Sequence, residues 1–274
     1  IKRHKMKTKI LILNIILIII CIAKAQQEAP FAEKKKLFAR ANKAFQQANS
    51  ANSPQQADSL YKKAVLNYEK IVTKYNIHNP KLYYNLANSY LLNEQIGKAI
   101  LNYRRALNLD SSDTNIKKNL AFARSKRIDR IEADAQQKAI HTLLFWHYDF
   151  SIRTRFILTT VFLVTFCVST GLIILKGKKP YYVVTATITA VLLVAFLFSV
   201  LYEDLIMQQR QYGVITAQQV TSYQGDGRNY PVSFKDPLHE GTEFQLLEQR
   251  GDWLHIQLVN GSEGWIKNDV AEII

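Results

Sequence analysis

Cysteine is nearly absent from this chain, since Cys21 and Cys167 are the only two in 274 residues. Both lie in long apolar runs, so the rest of the sequence has no disulfide framework and no thiol nucleophile. The sequence also lacks a Gly-rich phosphate-binding loop, and its six histidines do not have the spacing of metal ligands. These absences argue against a cysteine enzyme, a nucleotide-dependent enzyme and a metalloenzyme. We therefore expect no enzyme activity, no catalytic residue, no metal and no cofactor.

Two apolar runs, Phe156 to Leu175 and Tyr181 to Tyr202, contain no charged residue. Each has about 20 residues, the length that an α-helix needs to cross the hydrocarbon core of a bilayer. Residues 176–180 join the runs, carry three lysines and are too few to cross a bilayer. The sequence therefore predicts a transmembrane hairpin with helices at 156–175 and 181–202. Because neither predicted helix holds an ionisable side chain, the hairpin is expected to anchor the chain and not to transport ions.

Residues 1–25 have the pattern of a secretory signal peptide. Five basic residues between positions 2 and 9 precede the apolar run from Ile10 to Ala23, and Ala23-Lys24-Ala25 resembles a cleavage site. An uncleaved anchor helix is the alternative, although the run is shorter than a full membrane span. A lipoprotein signal at Cys21 is a second alternative, which Ile20 disfavours because a small residue is wanted at that position.

The export signal and the lysines between the spans predict the same membrane topology. If residues before the first span are exported, the 176–180 loop lies in the cytoplasm, in agreement with the positive-inside rule. The chain on either side of the hairpin then lies on the outer face of the membrane. Residues 141–155 are expected to form an amphipathic juxtamembrane segment on that face.

Acidic residues are scarce overall, with 22 Asp and Glu against 36 Lys and Arg, but the imbalance is uneven. Residues 26–150 contain 20 basic and 11 acidic residues, whereas residues 211–274 contain four basic and nine acidic residues. An exported protein has little access to nucleic acid, and the basic part has no dense run of Lys and Arg, so we expect no nucleic-acid partner. The opposite signs predict that the two regions contact each other or select partners of opposite charge.

Residues 26–140 have the apolar spacing of successive α-helices. Helices are predicted at 33–49, 58–75, 81–92, 96–107 and 114–132, with a lengthened loop around residues 50–56. The window from Pro80 to Asp113 fits the tetratricopeptide pattern of about 34 residues. Its matching positions are Tyr83, Leu86, Ala87, Tyr90, Ala99, Tyr103, Ala106 and Ser111. The alanines permit two helices to cross closely, and Asp113 is expected to cap the helix that follows.

Tetratricopeptide arrays bind ligands on a concave face, which the first helix of each repeat lines. The residues predicted to face this groove are Lys36, Arg40, Lys43, Tyr84, Asn85, Asn88, Leu91, Lys118, Asn119 and Phe122. Basic and amide groups beside an aromatic ring suit an acidic protein segment or a C-terminal carboxylate. The alternative is a solvated helix face, on which lysines are common.

Residues 203–274 change to short alternating runs that turn residues separate. Strands are predicted at 213–217, 243–247, 253–258 and 264–266, and Asn260-Gly261 is a strong signal for a hairpin turn. The order of Gly241, Gly251-Asp252-Trp253 and Gly264-Trp265 resembles bacterial SH3-like domains, which implies a small all-β barrel. In that family an aromatic groove often binds peptides or cell-wall fragments. The candidates here are Tyr223, Tyr230, Trp253 and Trp265. Packing inside the barrel is the alternative for each tryptophan, and it is favoured for Trp253.

The whole order of segments resembles the BatE proteins of the Bacteroides aerotolerance operons. The stretch from Lys81 to Ile131 carries most of the likeness, notably Leu82-Tyr-Tyr-Asn-Leu-Ala-Asn-Ser-Tyr90, Gly97-Lys-Ala-Ile-Leu-Asn-Tyr-Arg-Arg-Ala-Leu107 and Asn119-Leu-Ala-Phe-Ala-Arg124. The resemblance implies a component of a membrane assembly that is linked to oxidative-stress tolerance and encoded with von Willebrand-type domain proteins and a MoxR-type ATPase. It also implies a bacterial inner-membrane protein with both soluble domains in the periplasm, and it carries no catalytic motif.

The predicted fold class is a multidomain protein. It combines an all-α tetratricopeptide repeat domain at 26–140, a two-helix transmembrane hairpin and a small all-β SH3-like barrel at 203–274. Two functions suit this organisation. The first is a non-enzymatic scaffold that recruits protein partners within a membrane complex. The second is a cell-wall-associated module whose SH3-like tail holds peptidoglycan. An enzyme or a transporter is a third class, against which the missing motifs argue.

Overall fold

The structure, a computed structural model, describes residues 32–132, 139–140, 142–205 and 210–274, and of residues 203–205 it describes only the helical backbone. The predicted signal peptide at 1–25 lies outside the described residues. Helices make up most of the described chain, and a small antiparallel sheet follows them. The chain folds as two compact units that divide between Gln95 and Ile96.

The first unit begins with two antiparallel helices, α1 at 32–49 and α2 at Pro54–Tyr75. Phe38 lies edge-on to Tyr68 with ring centroids 5.9 Å apart, and Phe45 lies edge-on to Tyr61 at 5.7 Å. Phe38 precedes Phe45 in the chain whereas Tyr68 follows Tyr61, so the two helices run in opposite directions. Small buried alanines of α1 let α2 approach closely, and they lie at positions 41, 44 and 48.

A polar cap followed by a proline starts both α2 and the next helix, α3 at Pro80–Leu92. The Ser53 hydroxyl accepts a backbone N–H of the first turn of α2, and the Asn79 side chain accepts two N–H groups of α3. Proline suits the first turn because its missing N–H would have no partner inside the helix. α3 packs beside α2, and the Tyr90 hydroxyl donates a hydrogen bond to the Glu69 carboxylate.

The lengthened loop predicted around residues 50–56 is wrong, because α2 begins at Pro54 and only residues 50–53 connect the helices. The extra residues instead lengthen α2 to 22 residues. The Tyr61 hydroxyl donates to Asn49 Oδ1 at 2.8 Å, which holds the short connection against the second helix.

The second unit begins with α4 at Ile96–Leu109 and α5 at Thr114–Ser125, which pack against each other. Asp113 accepts the N–H groups of Asn115 and Ile116 at 2.8 and 3.2 Å, which confirms the predicted cap of α5. The prediction that this helix continues to residue 132 is wrong, because α5 ends at Ser125. The residues that follow leave the helical path and contact the sheet.

Two long apolar helices, α7 at Ile152–Lys176 and α8 at Pro180–Leu205, follow a short helix, α6, at Phe145–Tyr148. Both long helices have the length and composition needed to cross a membrane, and they pack against each other. α7 begins before the predicted span, so Arg153 and Arg155 belong to its first turn. The expected absence of ionisable side chains therefore applies to residues 156–175 and not to the whole helix.

Residues 210–274, here called the β-region, contain seven strands. These are β1 Gln211–Ile215, β2 Gln219–Val220, β3 Leu238–His239, β4 Glu243–Arg250, β5 Trp253–Leu258, β6 Glu263–Lys267 and β7 Ala271–Ile273. Five of them form an antiparallel sheet in the order β6-β5-β4-β1-β7, and β2 pairs with β3. The predicted Asn260-Gly261 turn is confirmed between β5 and β6, where Gly261 has a φ of 83°.

The core of the β-region follows from the alternation of β5. Leu254, Ile256 and Leu258 are buried, whereas Trp253, His255 and Gln257 point to the other face. Ile215, Phe244 and Ile266 from neighbouring strands complete much of this core. Ile131, which comes after α5, also packs against it.

Candidate functional site

Helices α4 and α5 and residues 126–131 lie directly against the β-region, and we call this contact the helix–sheet junction. Gly97 in the first turn of α4 donates its N–H to a Glu240 carboxylate oxygen at 2.9 Å. A Cβ atom at Gly97 would lie 2.6 Å from the Ile215 carbonyl oxygen. A Cβ atom at Gly241, where φ is 85°, would lie 3.0 Å from Arg127 Cγ. Gly97 therefore allows α4 to approach the backbone of β1 closely, and Gly241 leaves room for the Arg127 side chain.

Three arginines surround one carboxylate at the centre of the junction. Arg124 holds Glu243 through two bonds, from Nε to Oε1 at 2.7 Å and from Nη2 to Oε2 at 2.6 Å. Arg127 Nη1 lies 3.4 Å from Oε1, and Arg104 Nε lies 3.6 Å from Oε2. The Glu243 side chain is only 20% exposed, so solvent screens these interactions weakly. We call this group the arginine cluster.

The charges of the arginine cluster shift the acidity of its members. Burial alone would raise the pKa of Glu243, but hydrogen bonds from Arg124 and the charges of all three arginines lower it below its ordinary value. Burial lowers the pKa of both Arg104 and Arg127, Glu243 opposes this change, and the charge of Arg124 adds to it. The cluster therefore holds an ionised carboxylate and more positive charge than that carboxylate neutralises.

A second carboxylate fastens the segment after α5 to the β-region. One Asp129 oxygen accepts the His239 backbone N–H and the Thr242 hydroxyl, both at 2.6 Å. The other oxygen lies 2.8 Å from His239 Nδ1. Burial would raise the pKa of Asp129, but these hydrogen bonds lower it below its ordinary value. A helix that continued to residue 132 could not extend Asp129 and Ile131 to the β-region in this way.

We expect the substitution Asp129→Asn to destabilise the β-region by about 1–2 kcal/mol, because an amide keeps one acceptor oxygen where the carboxylate offers two. Chemical unfolding followed by tryptophan fluorescence measures this change, since Trp253 and Trp265 both lie in the β-region. Asp252→Asn is a matched control at an exposed position of the same region. Equal midpoints for the two variants would contradict the assigned role of Asp129.

The charge difference along the chain has a structural counterpart at the junction. Arg105 donates to a Glu272 carboxylate oxygen at 3.1 Å and to the Ile273 carbonyl oxygen at 2.9 Å. With the arginine cluster, this pair joins basic helices to acidic strands. Of the two outcomes expected from the charge pattern, contact between the regions is the one observed.

The four aromatic residues predicted for the β-region lie near one another, but they differ in exposure. Trp265 is 6% exposed and stacks on His255 with ring centroids 4.7 Å apart. Trp253 is half-buried and meets the edge of Tyr223 at 5.8 Å. Trp265 is thus the more buried of the two tryptophans, although the sequence favoured packing for Trp253. Tyr230 is 45% exposed at the edge of this group.

Cationic side chains accompany both indole rings. The Lys267 ammonium lies 5.9 Å from the Trp253 ring centroid, and the Arg250 guanidinium lies 5.0 Å from that of Trp265. These cation–π contacts occupy part of the surface that a flat ligand needs for stacking. The aromatic face therefore offers a smaller free area than four aromatic residues in the sequence indicate.

The residues predicted to line a groove are distributed over three helices. Lys36, Arg40 and Lys43 are exposed on α1. Those on α3 are half-buried, and they are Tyr84, Asn85, Asn88 and Leu91. On α5, Lys118 is exposed, Asn119 is half-buried and Phe122 is 54% exposed. The Lys126 ammonium lies 5.2 Å from the centroid of the Phe122 ring.

A buried arginine, Arg155, joins α7 and α8 where α7 begins and α8 ends. Arg155 Nη1 donates to the Ser199 carbonyl oxygen at 3.1 Å and lies 3.0 Å from the Ser199 hydroxyl. It also lies 2.9 Å from His147 Nδ1. This cross-link fixes how the start of α7 meets α8. The sequence did not predict it, because Arg155 was placed outside the first span.

In the ranges 32–132, 139–140, 142–205 and 210–274, no three His, Cys, Asp or Glu side chains lie close enough to hold a metal ion. The ionised groups of the junction are paired with one another. Comparison with protein-family models and with curated proteins gave no match for this chain.

Proposed function

We propose that this chain is a non-enzymatic scaffold, anchored in the bacterial inner membrane, whose periplasmic helices and β-region bind protein partners. One observation carries the proposal: two apolar helices, of 25 and 23 residues, adjoin a helix–sheet body that several ion pairs fasten together. A rigid body beside a membrane anchor can present a fixed surface to other membrane proteins. The proposal includes the BatE-like role in an aerotolerance-linked complex.

The helices and strands have features that support the finer parts of this proposal. Positions of the tetratricopeptide pattern are buried, and they are Tyr83, Leu86, Ala87, Tyr90, Ala99, Tyr103 and Ala106. We propose that α1 to α5 are tetratricopeptide helices. The short antiparallel strands, with their small apolar core, support an SH3-like identity for the β-region.

Partner binding by the repeat helices is most simply tested at Phe122. We expect Phe122→Asp to reduce the capture of membrane partners by crosslinking by more than about tenfold, because loss of an aromatic interface anchor often costs about 2 kcal/mol or more. Leu66→Asp is the matched control, since Leu66 is 60% exposed on α2 and lies outside the predicted groove. The measurement is crosslinking in intact membranes, followed by identification of the captured proteins.

Each result of this experiment bears on the proposal. Capture that Phe122→Asp weakens and Leu66→Asp preserves would support the predicted groove. Capture of no protein by the unmodified chain would contradict the scaffold role. Equal loss of capture in both variants would contradict binding in the predicted groove. The partner-binding surface of the scaffold would then lie elsewhere.

Peptidoglycan binding is the second candidate function, and the half-buried indole of Trp253 favours it because sugars stack on exposed aromatic rings. The full chain should then sediment with purified cell wall, and soluble wall fragments should release it. The Lys267 side chain over the Trp253 ring reduces the area for such stacking. For this reason we place protein binding first.

A further inference from the structure

A cleft of about 860 Å³ opens beside the arginine cluster. Arg104, Arg124 and Arg127 line one side of it, and Arg210 adds a fourth guanidinium group. Strand residues such as Tyr212 and Gln257 form a second side. Two tyrosines that adjoin the apolar helices, Tyr148 and Tyr202, form a third. The cleft thus combines concentrated positive charge with the ends of the two membrane-length helices.

The carboxylates in the cleft leave much of this positive charge without a matching negative charge. Among the side chains that line the cleft, four guanidinium groups face two carboxylates, those of Glu243 and Asp129. Asp129 directs both oxygens to His239 and Thr242, and Arg124 occupies both oxygens of Glu243. Arg104 and Arg127 therefore share an acid that another arginine already holds.

The hydrogen-bonding capacity of these two arginines is also incompletely used. Among the described residues, buried Arg104 Nε has no hydrogen-bond acceptor. Arg127 donates to the carbonyl oxygens of Arg124 at 3.2 Å and Gly241 at 3.5 Å, which are neutral acceptors, and at 3.4 Å to the Glu243 oxygen that Arg124 already holds. Guanidinium groups pair most strongly with carboxylate or phosphate oxygens, often in a bidentate geometry. An anion in the cleft would supply such oxygens and reduce the repulsion among the arginines.

We propose that this cleft binds the phosphate group of an anionic membrane phospholipid. The position of the tyrosines favours a lipid source, because Tyr202 ends the 23-residue apolar stretch of α8 and Tyr148 closely precedes α7. Lipid headgroups lie at the level where transmembrane helices end, and tyrosine is enriched there. The proposal rests on the membrane anchoring proposed above, and it adds a specific lipid contact to that anchoring.

The test uses the full chain purified in a mild uncharged detergent. Phosphatidylglycerol, phosphatidylcholine or inorganic phosphate is added, and bound lipid is counted by native mass spectrometry together with the melting temperature. We expect phosphatidylglycerol to bind and to raise the melting temperature, with at most weak effects from phosphatidylcholine. Arg127→Gln should weaken phosphatidylglycerol binding about tenfold, because one charge-assisted contact is lost.

Arg130→Gln is the matched control, since Arg130 is exposed, close in sequence and absent from the cleft lining. Equal affinity of both variants for phosphatidylglycerol would overturn the proposal. If inorganic phosphate raises the melting temperature as much as phosphatidylglycerol does, a lipid is not the source of the phosphate. If an acidic peptide displaces phosphatidylglycerol at a lower concentration than that of the lipid, the ligand is a protein instead. If Arg127→Gln does not fold, Arg210→Gln provides the second test, because Arg210 is exposed and lines the cleft, so its loss should weaken phosphatidylglycerol binding and leave the fold intact.

Membrane anchoring is measured separately by alkaline carbonate extraction. Release of the chain into the soluble fraction would contradict the proposed function, while the lipid titration in detergent would still decide whether the cleft binds phosphatidylglycerol. Retention in the membrane together with no lipid preference would contradict the cleft alone.

Discussion

Glu243→Gln is expected to destabilise the second unit by about 3 kcal/mol. Removal of one partner from a buried ion pair leaves uncompensated charge and typically costs about 3–5 kcal/mol. Here three guanidinium groups would remain around a neutral amide, at a position where the side chain is only 20% exposed. We take the lower end of that range because Arg124 itself is 38% exposed and can turn partly toward solvent. Tryptophan-monitored unfolding of the full chain in denaturant measures the loss.

Glu248→Gln is a demanding control for this prediction. Glu248 lies on the same strand as Glu243 and also holds an arginine through two oxygens, with Arg250 Nε at 2.6 Å and Nη2 at 2.9 Å. Its carboxylate is solvent-exposed, so the pair should contribute little to stability. Similar midpoints for Glu243→Gln and Glu248→Gln would show that burial does not strengthen the arginine cluster.

The junction should also be sensitive to acid. The pKa values of Glu243 and Asp129 are lowered in the folded chain, from ordinary values of 4.5 and 3.8. A lowered carboxylate pKa contributes stability that is present above the unfolded pKa and is lost as the pH falls through the folded pKa. Stability should therefore be constant near neutrality and should fall below about pH 4.5. Glu243→Gln should flatten that fall, and unfolding midpoints between pH 7 and pH 3 measure it.

Local features of the sequence predicted local features of the structure well. Asp113 lies directly before a helix and caps it, because the cap needs only residues two and three positions away. Asn260-Gly261 turns the chain between β5 and β6, because glycine adopts the positive φ that this turn requires. The two long apolar runs also form helices, as their length and composition predicted.

The junction could not be predicted because its contacts are long-range. Arg124 and Glu243 are 119 residues apart in the chain, and each looks like an ordinary surface residue in its own segment. Arg127 and Asp129 continue a helical pattern, yet contacts with the sheet are made only when the helix ends at Ser125. The charge difference between the regions was the one available signal, and it indicated contact without identifying a residue.

The exposure of the two tryptophans in the β-region could not be predicted from the sequence either. Trp253 lies on β5 and Trp265 lies on the neighbouring strand β6. Leu254 and Ile266 are opposite each other in this pair of strands. The spacing of the two tryptophans predicts a common surface. Their exposure also depends on the loop that carries Tyr223, because Tyr223 and Trp265 pair through two backbone hydrogen bonds of 2.9 and 2.7 Å. The backbone of that loop pairs with Trp265, and its Tyr223 ring lies against Trp253, which remains half-buried. Burial of a particular ring thus depends on a contact that alternation does not encode.

Gly97→Ala provides a test of the junction in which two physical effects have opposite signs. Alanine favours helix over glycine by up to about 1 kcal/mol, so propensity alone predicts stabilisation. The junction predicts the reverse, because the new Cβ would lie 2.6 Å from the Ile215 carbonyl oxygen, a backbone atom that cannot rotate away. Overpacking typically costs about 1–3 kcal/mol, and displacement of α4 would also break the Gly97 N–H bond to Glu240.

We therefore expect Gly97→Ala to destabilise the second unit by about 2 kcal/mol, measured as a shift of the unfolding midpoint. Gly171→Ala is the matched control, because Gly171 lies inside α7 and an added Cβ would meet nothing within 4 Å. The same substitution there should leave stability unchanged or raise it slightly. Stabilisation by Gly97→Ala would mean that α4 does not contact the end of β1 closely in solution. A loss confined to Gly97→Ala would instead show that α4 and the β-region fold as one body, as a scaffold that presents a fixed surface requires.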